Sequence, residues 1–187
     1  MAVLDGKAQL QRTRAALYHA EIQFRQYCRL LSDNEHFQMR HEAVCYSEGC
    51  VFFVGQAYRS LLRELAAFYR LDDVASVDEL EQILAAMGVR APEIQLIRAV
   101  QTNEDQESRV RQNNGDPHWW PDFVEHHEQL FRPAYQAPKQ AVGVLPVQGD
   151  LLFRSRDVDA DCSVQLRIWL DGMIRLVDQV RASIQEW

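Results

Sequence analysis

From Glu35 to Tyr69 the chain runs without a proline and with only two glycines, Gly49 and Gly55. Apolar side chains recur through it at helical spacing: Val44, Val51, Val54, Tyr58, Leu61, Leu62, Leu65 and Phe68. That pattern predicts one helix, on the order of 50 Å long at 1.5 Å per residue. Its middle, Gly49 to Ala57, is apolar on nearly every side. A helix of that kind is buried all round. The segment is therefore expected at the centre of a bundle, with the glycines admitting a close neighbour or marking a bend.

The remaining elements read as helices too. Leu10, Leu17, Phe24 and Leu31 recur every seven residues, with Ala20 and Tyr27 between them, and predict a first helix over Asp5–Leu31 with one buried stripe. Ser32, Asp33 and Asn34 break it and can cap the next. Ser76 and Glu79 form a capping box. Leu80, Ile83, Leu84 and Met87 follow on one face, and Gly88 stands in the C′ role. Pro92 sits just inside the next helix start, with Ile94, Ile97 and Val100 as its stripe. Asn113 to Pro117 signals a turn.

A short helix is expected from Pro121-Asp122 to Arg132-Pro133. From Pro133 to Asp157 the chain reads as a non-helical linker, yet it is apolar (Val142, Val144, Leu145, Val147, Leu151, Leu152, Phe153), so it should pack on the bundle or form a short strand pair. The last helix should run from Asp159 to Gln185, with Leu166, Trp169, Leu170, Met173, Ile174, Val177 and Ile184 inward. The expected fold is an all-α, single-domain bundle of five to six helices over residues 1–187, a length that one core can serve without disulfides or metal.

Charge and cysteine usage narrow the function classes. The net charge is −7, and the basic residues are nearly all arginine, with Lys7 and Lys139 the only lysines. No basic run is present, so general nucleic-acid binding is disfavoured, although a local Arg-lined groove stays open. Cys28, Cys45, Cys50 and Cys162 form no C-x-x-C and sit among apolar neighbours, as reduced thiols in a cytoplasm would. No signal peptide or membrane span is expected.

Several constellations could carry chemistry. His118-Trp119-Trp120 and Glu125-His126-His127-Glu128 could form a metal site or an aromatic box, but only Asp122 and His126 have the i,i+4 spacing that puts two ligands on one helix face. There is no H-E-x-x-H. The alternative is a solvated helix face with the tryptophans anchoring a loop. His41 and Cys45 are also i,i+4, with His36 and Cys50 nearby, and could bind zinc with partners from other helices. Arg14 to His19 matches the Arg-then-His spacing of HEPN-type ribonucleases, in which His acts on a 2′-hydroxyl and Arg steadies phosphate. Arg29 to His36 and Arg111 to His118 are similarly spaced, which makes the match unspecific. No glycine-rich phosphate loop and no nucleophile–base arrangement is present.

The stretch Arg59-Ser-Leu-Leu-Arg-Glu-Leu-Ala-Ala-Phe-Tyr-Arg-Leu71, and Trp119 followed by Leu130-Phe131-Arg132-Pro133, resemble a small proteobacterial helical family of unknown function. The His-rich insert from Asn113 to His127 and the long apolar linker depart from that family's pattern. The resemblance implies a cytoplasmic helical bundle and supplies no site residues.

The function these features favour is a non-enzymatic interaction module that binds a protein partner or itself, without a cofactor. Trp119, Trp120, Tyr135, Leu145 and Phe153 are the expected contacts, because apolar surplus in a loop marks an interface. The alternatives are a helical-bundle hydrolase using Arg14 and His19, a metal site at His41, Cys45, His118, Asp122 and His126, or an apolar-ligand pocket near Phe52 and Phe53.

Overall fold

The computed structural model describes residues 6–32, 37–102, 119–131 and 160–185. Among them are six helices and no strand: α1 (Gly6–Ser32), α2 (Phe37–Phe68), α3 (Val77–Ala86), α4 (Pro92–Thr102), α5 (Trp119–Phe131) and α6 (Ala160–Gln185). The Asn113–Pro117 turn and the 133–157 linker lie outside the described residues, as do His118, Tyr135, Leu145 and Phe153.

The long helix is continuous over 32 residues. It touches α1, α3, α5 and α6, so it is the bundle's spine. Cys50, Val51, Val54, Ala57, Leu61, Leu62, Leu65 and Ala66 are buried along it. Its middle is not enclosed on every side, however, because Phe52 is exposed there.

Helix α1 packs antiparallel to α2. Gln23 lies against Gly49, the His19 ring stacks on Phe53, and Thr13 meets Glu64. The fully buried stripe of α1 is Gln9, Thr13, Ala16, Ala20 and Tyr27 rather than the leucine heptad. Leu17, Phe24 and Leu31 are only partly buried. Small and polar side chains let the two backbones approach closely, and the larger side chains then wedge beside the seam, toward α6. Helix α6 also runs antiparallel to α1, with Arg167 on Glu21 and Arg181 on the Leu10 carbonyl.

A polar knot locks these three helices at one level. Arg181 donates twice to Glu64, at 2.9 Å to each oxygen. The Thr13 hydroxyl lies 3.1 Å from Glu64 Oε2 and 3.1 Å from the Gln9 carbonyl, and donates to one of them at a time. A second knot joins the turn that closes α2 to α4 and α6. Glu93, fully buried at the α4 N-terminus, accepts from Tyr69 Oη at 2.7 Å and from Ser183 Oγ at 3.4 Å. A carboxylate in the first turn also suits the helix dipole.

The helix ends follow local rules. Ser76 Oγ accepts from the Glu79 N–H, while the Glu79 carboxylate accepts from Ala75 N–H, one residue earlier than a reciprocal box would use. Gly88 (φ 71°) closes α3, with Val89 N–H on the Leu84 carbonyl and Gly88 N–H on that of Ala85. Arg70 does the same for α2 at φ 57°, with Leu71 N–H on the Ala66 carbonyl. Met87, expected inward, is exposed, because α3 ends in this turn. Helix α6 buries Leu166, Trp169, Leu170, Met173 and Val177 as expected. Leu176 and Val180 join them, and Ile174 and Ile184 are half-buried.

A buried His/Trp anchor and an outward aromatic face

Helix α5 starts at Trp119, two residues earlier than Pro121-Asp122 suggested. That shift puts both tryptophans on the helix, and both face the core. Trp119 is 3% exposed and Trp120 8%. Their burial takes them out of the set of partner-facing residues. The physical reason is a pair of glycine notches. The Trp119 indole lies so close over Gly172 of α6 that a Cβ there would meet it at 2.6 Å. His127, two turns along α5, lies over Gly55 of α2, in contact with the place where a Cβ would stand. Two backbones without side chains give α5 its seat. Trp120 packs its ring 4.5 Å from Tyr58, and Phe123 lies 5.9 Å from Trp169. Tyr58 Oη in turn accepts from Gln101 at 3.0 Å, and burial pushes this phenol up to about 12.

Among the described residues, those proposed as metal ligands do not converge; His118 and the His41 side chain lie outside the described residues. Asp122 is exposed, whereas the His126 ring lies 5.0 Å from Trp169. Cys45 is exposed on α2. Among the described residues no three His, Cys, Asp or Glu side chains are grouped to hold a metal ion. Burial, with Arg59 adding to it, holds the His127 imidazole below its usual range, and Glu128 opposes this. Burial first, and then the Glu21 carboxylate, push the Cys50 thiol up to about 12, so it behaves as a small apolar group.

Arg14 and His19 are both exposed. Five residues apart on a helix, they turn about 140° from one another. Arg14 stands on the outward ridge, and the His19 ring stacks on Phe53 at 5.1 Å. Phe52 and Phe53 meet edge to face at 5.3 Å, and Tyr18 lies 6.1 Å from His19. These four rings make one continuous aromatic face across α1 and α2. Tyr18 is 65% exposed and Phe52 36%. Phe52 is therefore exposed, while Phe53 is half-buried, with part of its ring packed on the core.

Sequence reasoning missed this face because its rings come from two helices. The available signal was Tyr18, a large aromatic residue off the leucine stripe of α1. A shallow depression of about 580 Å³ opens where α3 turns into α4. Among the described residues its lining includes Glu81, Leu84, Val89, Arg90 and Ile94 but no His, Cys, Ser or Tyr, and its one carboxylate, Glu81, is ion-paired with Arg98.

No described helix is long and apolar enough to cross a membrane. No curated protein and no solved structure matches the chain. The model of a family of unknown function, DUF6586, matches residues 8–187, and the chain belongs to that family.

Proposed function

We propose that the protein is a helical interaction module that binds a protein partner, or a second copy of itself, through the aromatic face of α1 and α2. The observation that carries this reading is the four-ring surface Tyr18–His19–Phe53–Phe52, with Tyr18 65% exposed. Large aromatic side chains are the groups from which interfaces draw most of their binding energy. The rigid seam beneath, formed by Ala16 and Ala20 against α2, holds the face without reorganisation on binding. The thiols of Cys28, Cys45, Cys50 and Cys162 are free, and an exposed free thiol at Cys45 supports a reducing compartment such as the cytoplasm.

Site-specific photo-crosslinking in the native host tests the reading. A photoreactive phenylalanine at position 18 or 52 should give one discrete adduct, with a partner or with a second copy. The same group at Val164, also exposed but on α6, should not. Adducts of equal yield and identity from all three positions, or none from 18 and 52, would remove the proposal.

A further inference from the structure

The outward ridge of α1 carries a charge pattern at odds with the rest of the chain. Helix α1 holds five cations, Lys7, Arg12, Arg14, Arg25 and Arg29, against the single carboxylate Glu21. That is a net of +4 in a chain of net −7, which leaves −11 for the rest. Four of the five cations line up. Lys7, Arg14, Tyr18, Arg25 and Arg29 follow one another at intervals of seven, four, seven and four residues, which is a single face of a helix. It lies opposite the buried stripe of Gln9, Thr13, Ala16, Ala20 and Tyr27. All five residues of the ridge are exposed. Arg25 pairs with Glu21 at 3.1 Å, and Glu21 is shared with Arg167. Among the described residues Arg14 and Arg29 have no carboxylate partner.

We infer that this ridge docks an acidic helical segment of a partner protein, with Tyr18 and the neighbouring aromatic face taking an apolar residue at the segment's centre. The inference rests on the interaction-module reading and adds the chemistry of the partner. Charge complementarity selects it: a helix laid along the ridge presents carboxylates with the same seven-and-four period, so cation and anion meet repeatedly over roughly 33 Å. A nucleic acid fits less well. Its charges are spaced far more densely than these cations, and the −11 elsewhere on the molecule repels a long polyanion. An acidic helix of a few turns stays on the ridge.

The test uses the full chain and fluorescence anisotropy with three labelled probes. These are a three-heptad helical peptide with Glu at the matching positions and a central Leu, its Lys counterpart, and a single-stranded oligothymidylate of equal negative charge. The acidic peptide should bind, weaken as salt rises, and lose roughly tenfold in affinity with Arg14→Glu plus Arg29→Glu. Arg90→Glu, exposed in the turn between α3 and α4, should leave it unchanged. Circular dichroism melts of these surface variants should match the parent.

Equal binding of the acidic and Lys peptides, or indifference to the ridge substitutions, would overturn the inference. So would oligothymidylate binding as tightly as the peptide and losing affinity with the same substitutions, which would make the ridge a polyanion site. A dimer of the chain alone that dissociates in salt and with the ridge substitutions would reassign the ridge to a second copy. Loss of charge dependence alone, with position-18 and position-52 crosslinks retained, leaves the interaction-module reading standing and removes only the acidic partner.

Discussion

Two aromatic clusters of similar composition face opposite ways. On α5, Trp119, Trp120, Phe123, His126 and His127 turn inward; on α1 and α2, Tyr18, His19 and Phe52 turn outward, over a half-buried Phe53. Aromatic content does not separate them. What separates them is the surface opposite. Gly172 and Gly55 leave bare backbone where α5 lands, so indole and imidazole can fill it. Among the described residues no helix covers the outward ridge of α1, whose inner side is already occupied by α2 and whose flank meets α6. An aromatic cluster is buried when the fold supplies notches for it, and otherwise remains as surface.

The largest expected effects fall on the inward side. Trp119→Ala removes a nearly fully buried indole and should cost about 3–5 kcal/mol in urea unfolding. A cost below about 1 kcal/mol would mean that α5 is loosely seated. Arg181→Met should cost a similar amount, about 3–5 kcal/mol, because it leaves Glu64 buried without its cation. A second substitution, Glu64→Leu, should recover most of that loss, and failure to recover would place the cost in packing rather than charge. Gly172→Ala is smaller, about 1–3 kcal/mol, since the added methyl overlaps Trp119 and the indole must move.

A pH effect comes next in size. His127 has its folded pKa below the unfolded value, so its contribution to stability is full above about 6.5 and is lost as pH falls through the folded pKa. The melting temperature should therefore drop between pH 7.5 and pH 5.5. Part of that drop should vanish in His127→Gln, whose amide can occupy the notch at Gly55 as Gln23 occupies the one at Gly49. An identical drop in the variant would assign the effect to other groups. The smallest effect belongs to the outward side: Tyr18→Ala should change stability by no more than about 0.5 kcal/mol. A cost near that of Trp119→Ala would break the comparison.

The helices were legible in the sequence because each is specified locally. The proline-free stretch gave α2, the Ser76–Glu79 pair gave the start of α3, and Gly88 with Pro92 framed the turn to α4. The faces were less legible. Of the expected α1 stripe, Ala20 and Tyr27 are fully buried, whereas Leu17, Phe24 and Leu31 pack partly buried beside the seam, whose centre also holds Gln9, Thr13 and Ala16. Trp119 is seated by Gly172, more than fifty residues away, and Trp120 packs on Tyr58 of α2, also distant in sequence. The aromatic face joins Tyr18 and His19 to Phe52 and Phe53 only through the antiparallel register of α1 and α2. Glu93 looked like an ordinary first-turn acid until Tyr69 and Ser183 closed over it.

Hydroxyl-radical footprinting with residue-level mass spectrometry tests the inward–outward assignment most directly. Tyr18 and Phe52 should oxidise rapidly in the folded protein, while Trp119 and Trp120 stay protected until denaturant unfolds it. Indole is the more reactive ring, so this protection would be a stringent result. Rapid oxidation of Trp119 and Trp120 in the native protein, with Tyr18 and Phe52 protected, would contradict the account.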